Sequence, residues 1–223
     1  MSPIIRGYQV EQTNIITTNK IIKNTYMLLS MTLIFSAITA YLSMLINTQP
    51  MGYMTVFVYI ALLFLTNIFR NSILGILFVF MLTGFMGYTL APILNIILYG
   101  FINGAQIITV SLGLTGIIFF TLSIYALTSQ KDFSFLSSFL FIGLIVIIFA
   151  SLIGLFTKFP ILHLMISSFF VLISAGYILY ETSNIIHGGE TNYITATVSL
   201  YINIFNIFVS LLHIISFFSG RRN

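Results

Sequence analysis

Residues 193–218 read YITATVSLYINIFNIFVSLLHIISFF, an uncharged run long enough to cross a bilayer core of roughly 30 Å as a helix. At steps of three or four, Asn192, Thr195, Ser199, Asn203, Asn206, Ser210, His213 and Ser216 fall on one side of that helix, opposite Ile, Leu, Val and Phe. Turned toward acyl chains, these hydroxyl and amide groups would lack hydrogen-bond partners. The polar side is therefore expected to face protein, which requires other helices around it.

The rest of the chain supplies them. Charged residues are 5% and apolar residues 59% of the 223, where a water-soluble domain carries about a quarter charged. Apolar runs cover approximately residues 24–46, 53–69, 72–90, 105–127, 134–156, 161–181 and 193–218. The period-two alternation of a barrel is absent, and only helices otherwise satisfy every backbone group in lipid, so the expected fold is an all-α integral membrane protein with seven transmembrane helices. Turn and charge signals separate the runs at Asn47 to Gly52, Arg70-Asn71, Ala91 to Gly104 with Pro92, Ser129 to Asp132, and Thr157 to Pro160. The connection from Ala91 to Gly104 is itself apolar and is expected to lie along the interface or re-enter, while Pro160 suits the first turn of the sixth helix. Ser36 and Ala40, four residues apart, allow a neighbouring helix close approach.

Cysteine is absent, which excludes disulfides, thiolate catalysis and cysteine metal sites. With no tryptophan, interface anchoring is expected from Tyr26, Tyr53, Tyr88 and Tyr125. The net charge of +4 is spread over eight basic residues, which suits anionic lipid and provides no nucleic-acid surface. Residues 1–23 are polar, without a cleaved-signal or lipidation pattern, and are expected to form a free amino-terminal tail. The membrane domain then spans 24–218, with a short basic tail at 219–223. An internal amino terminus gathers Arg6, Lys20, Lys23, Arg70 and Lys131 on the inner side against Lys158, Arg221 and Arg222 outside, so the charge rule favours a cytoplasmic amino terminus.

Between the last two runs, Glu181 to Tyr201 holds two of the chain's four acids and one of its three histidines. Ionisable groups close to lipid mark the first place to look for function. The sixth run adds its own polar stripe, His163, Ser167, Ser174 and Glu181, able to meet that of the seventh. His163 and His213 are expected to be satisfied interior donors. Glu181 at mid-depth would cost roughly 3 kcal/mol if ionised, so it should lie near an interface, be protonated, or face water. His187-Gly188-Gly189-Glu190 falls short of a zinc set and lacks a His-Glu-x-x-His helix, so no metal is expected. Its glycines permit a tight turn, Thr191 or Asn192 can cap the final helix, and Glu190 suits the positive end of that helix's dipole. Ser210 and His213 have neither a nucleophile elbow nor an orienting acid nearby, so no catalytic residue and no cofactor site are expected.

The segment Ile-Ile-His-Gly-Gly-Glu-Thr-Asn-Tyr-Ile at 185–194, followed by Ala-Thr-Val-Ser-Leu-Tyr at 196–201, resembles the Bax inhibitor-1 family. The resemblance extends to Asn24-Thr25-Tyr26, Ala91-Pro92-Ile93-Leu94-Asn95 and Lys131-Asp132-Phe133-Ser134-Phe135-Leu136, nearly the whole chain. It implies seven helices with the last one central. It is greatest to the bacterial branch that modulates the membrane AAA protease FtsH, implying a non-enzymatic inner-membrane regulator that meets the protease through its amino-terminal tail. Other members are calcium leaks in which carboxylates on the sixth and seventh helices share a proton. The matching positions here are Glu181 and Asn203, and an amide cannot share in such a titration. Under that alternative, Glu181, Asn203, Asn206 and His213 would line a pore or proton site.

Overall fold

The computed structural model describes residues 3–157 and 159–219, with side chains from Ile16 onward. Seven helices follow one another: α1 (Pro3–Leu45), α2 (Met54–Ile68), α3 (Ile73–Gly100), α4 (Gly104–Ser129), α5 (Leu136–Phe156), α6 (Pro160–Ile186) and α7 (Tyr193–Phe218). Six contain a window long and apolar enough to cross a membrane. The seventh, α2, has 15 residues and is about 22 Å long, shorter than its apolar run suggests, because the helix closes at Phe69 just before Arg70. The basic tail expected at 219–223 lies outside the described residues apart from Ser219.

α7 is central. It packs against α1, α2, α3, α4 and α6. The main core joins Leu200, Tyr201, Ile204 and Ile207 of α7 to Leu29, Leu62, Leu82, Phe119 and Ile178 of those five neighbours. α5 is peripheral and packs on α6 through Leu140, Ile147 and Ile173. Its other face, including Phe139, Ile142 and Phe149, is exposed as a lipid-facing surface should be.

The centre is pinned by polar groups as well as apolar ones. The fully buried Tyr201 hydroxyl donates to Ser36 Oγ of α1 at 2.5 Å and to the Thr83 carbonyl of α3 at 3.2 Å, two acceptors that share its one proton. Phenylalanine at position 201 is expected to cost about 1 kcal/mol in detergent unfolding, since Ser36 retains a helical carbonyl within reach. An unchanged unfolding curve would show that this junction contributes nothing. Beside it, Ser36 and Ala40 are buried as their spacing anticipates, and the surface they approach is Gly87, where a Cβ would lie 2.2 Å from the Ser36 carbonyl.

Three expectations are corrected. The apolar stretch beginning at Ala91 is no interfacial loop: α3 continues through Pro92 to Gly100, leaving a connection of Phe101 to Asn103. Proline deprives the Tyr88 carbonyl, four residues earlier, of its helical donor, and the Ser43 hydroxyl of α1 supplies one at 2.9 Å. The amino-terminal tail is not unstructured, because α1 starts at Pro3 and Ile21 is buried against Ile185 and Ala196. Tyr53 and Tyr125 are exposed as interface anchors should be, but Tyr26 turns inward, its ring tilted against that of Phe119 and its hydroxyl bonding Thr182 Oγ1 at 3.2 Å.

Candidate functional site: the connection between the last two helices

α6 ends at Ile186 because the chain needs a reversal before α7, and Gly188 provides it with φ at +75°. Gly189 N and Glu190 N then both donate back to the Asn184 carbonyl, at 2.9 and 3.3 Å. A side chain at Gly189 would meet Asn184 Oδ1 at 2.0 Å. The glycine pair thus closes a compact turn, as the sequence indicates.

His187 reaches two backbone carbonyls. Its Nδ1 lies 2.8 Å from the Ser183 carbonyl and its Nε2 lies 3.2 Å from the Gln130 carbonyl in the α4–α5 connection. The ring thereby bridges the end of α6 to the α4–α5 connection. Ser183 strengthens the same junction: its hydroxyl accepts from Phe133 N at 3.0 Å and donates to the Lys131 carbonyl at 3.0 Å. Asp132 lies alongside, and the Ser134 backbone amide donating to it at 2.8 Å holds its carboxyl below the usual carboxylate range.

Asn192 makes the second junction. Its Oδ1 caps α7 by accepting from Ile194 N at 2.9 Å and Thr195 N at 3.2 Å. Its Nδ2 reaches across to the α2–α3 connection, to the Arg70 carbonyl at 3.0 Å and Asn71 Oδ1 at 2.8 Å. Glu190 accepts from Asn192 N at 2.7 Å, at the dipole position expected for it. The α6–α7 connection is therefore a clasp that holds two other loops. Neither Ser183 nor the bridging role of Asn192 was evident from sequence, because their partners are 50 to 52 and 121 to 122 residues away.

One turn into the bundle, Glu181 is half-buried and lies near Ser199 of α7. The buried Asn203 spends its amide donor on the Ser199 carbonyl at 2.9 Å. Ser199 therefore stands between the two positions, and no second carboxylate faces Glu181 from Asn203. Among the described residues, no three His, Asp or Glu side chains converge as a metal site would need.

A protein-family model described as inhibitor of apoptosis-promoting Bax1 matches residues 18–220. The chain belongs to the Bax inhibitor-1 family. Within this family it is 49% identical over 210 residues to the modulator of FtsH protease YccA of Escherichia coli, covering 94% of this chain and 95% of that one. A Pseudomonas aeruginosa protein is 49% identical over 204 residues, 90% of each chain, and a Vibrio cholerae membrane protein is 46% identical over 219 residues, 97% and 96% of the two chains. These matches take in the clasp, α7 and both polar stripes of the Bax inhibitor-1 fold.

The stripes of α6 and α7 meet, but with different surroundings along their length. Ser174 and Asn203 are buried at mid-depth, whereas Asn206 and His213 line a cavity at the end opposite the clasp, with His163 and Ser167. His163 and His213 are exposed there, and neither is bonded within the described residues, contrary to the expectation of satisfied interior donors.

Proposed function

We propose that this protein is a non-enzymatic inner-membrane regulator that binds an FtsH-type protease and restrains its action on membrane substrates, with its amino terminus in the cytoplasm. The observation that carries this reading is the near full-length 49% identity to the YccA modulator. The charge distribution supports the orientation: Lys20, Lys23, Arg70 and Lys131 are all exposed at the clasp end, where the positive-inside rule puts basic residues. α1 supports the mode of contact. N-terminal to the Ile21 packing site, residues 3–20 add about 27 Å of helix, a reach suited to a protease domain held above the same membrane.

Deletion of residues 3–15 is expected to abolish co-purification with the protease from solubilised membranes, while the shortened protein keeps its unfolding midpoint. Overexpression of the full chain should lengthen the lifetime of a membrane substrate, and overexpression of the deletion should not. Failure of the full chain to co-purify, with substrate lifetime unchanged, overturns the proposal. The acid-pair calcium leak is the weaker reading because Asn203 offers no second carboxylate to Glu181.

A further inference from the structure

At the end opposite the clasp, the first turns of α6, the last turns of α7 and Phe101 line an open cavity of about 760 Å³, the size of a small-molecule site. Its lining includes the aromatic Phe101, Phe170 and Phe205 and the polar Ser167, Asn206 and Ser210, with the exposed His163 and His213. Ser167 and Ser210 are only 5% and 6% exposed. Neither hydroxyl, nor the Asn206 carboxamide, meets a hydrogen-bond partner among the described residues. Buried serines in a helix ordinarily bond the carbonyl one turn back, as Ser111 does at 2.8 Å, so hydroxyls left free in a cavity are available to something else.

The chemistry of the walls narrows what that is. Among the described residues, no aspartate, glutamate, lysine or arginine lines the space. The described lining thus presents hydroxyl, amide, imidazole and aromatic groups. An uncharged group with acceptor oxygens suits two hydroxyls, an amide and two imidazoles, all able to donate. The aromatic side chains require that the remainder be apolar. Exposed Pro160, His163 and Phe217 form the rim, through which an apolar tail can leave toward the acyl chains.

We infer that this cavity binds an uncharged, carbonyl-bearing, lipid-soluble molecule, with its oxygens on Ser167, Asn206 and Ser210 and its apolar part against Phe170 and Phe205. The carbonyls can belong to a quinone ring or to the esters of a diglyceride. The full-length protein in detergent is titrated with a decyl-benzoquinone, with dioctanoylglycerol and with decane, and the unfolding midpoint is followed. A saturable rise is expected with at least one of the first two and not with decane, and which one responds identifies the source of the carbonyls. The double variant Asn206→Leu, Ser210→Val should weaken that binding at least tenfold, and Ser167→Ala separately should weaken it severalfold. Ser168→Ala, on the exposed side of α6, should leave it unchanged. The inference is overturned if both probes behave like decane, as for a water-filled vestibule, or if folded Ser167→Ala and the double variant bind as tightly as the unaltered protein.

Discussion

Valine at position 87 is expected to lower the unfolding free energy in mild detergent by about 3 kcal/mol, more than any other single change considered for the membrane domain. A Cβ at Gly87 would lie 2.2 Å from the Ser36 carbonyl and 2.4 Å from Thr39 Oγ1, so the nearest obstacle is backbone and cannot rotate away. α1 and α3 would have to separate. That separation also strains the Tyr201 junction, whose two acceptors, Ser36 Oγ and the Thr83 carbonyl, lie on these same helices. Gly113→Ala supplies the contrast: nothing lies within 4 Å of a Cβ there, and alanine should be neutral or stabilising by up to about 1 kcal/mol. Unfolding midpoints of the two variants, measured side by side in the same detergent, decide the matter. A Gly87→Val protein that unfolds with the unaltered one would mean that α1 and α3 are not in such close contact.

Half of that contact was legible in the sequence and half was not. Ser36 and Ala40 announce a close approach by their spacing, but spacing on one helix does not say that Gly87 is opposite. Apolar runs locate spans well because lipid imposes a length on them. They locate ends poorly where local chemistry is overridden from a distance. Pro92 reads as a break, and it becomes helical because Ser43, 45 residues earlier in sequence than Tyr88, satisfies the carbonyl that proline leaves open. The polar residues of residues 1–23 read as a free tail, although Ile21 has a place between Ile185 and Ala196. At the clasp, the turn was legible from Gly188 and Gly189, since their role is local. The purpose of His187 was not, because its second partner is the Gln130 carbonyl, 57 residues away. His163 and His213 are exposed although they share helical faces with the buried Ser167 and Ser210. A helical wheel gives the direction of a side chain but not whether a neighbouring helix extends far enough to cover it.

The clasp leads to the second large effect. Asn192→Ala should destabilise the protein by about 2 kcal/mol, and Asn192→Ser by about half as much. Alanine removes two functions at once: the cap on Ile194 N and Thr195 N, and the bridge to the Arg70 carbonyl and Asn71 Oδ1. Serine keeps an oxygen able to cap α7 but is too short to bring a donor to the α2–α3 connection. The difference between the two variants therefore measures the cap, and the deficit of serine alone measures the bridge. Since these bonds lie partly in water, each contributes toward the lower end of the usual range. The two variants should also differ in where they loosen. In Asn192→Ser, amide exchange should accelerate around residues 69–73 while the first turn of α7 stays protected. In Asn192→Ala both regions should exchange faster. If serine at this position changes neither stability nor exchange around Arg70, the connection between α6 and α7 closes only its own turn and does not hold the neighbouring loop.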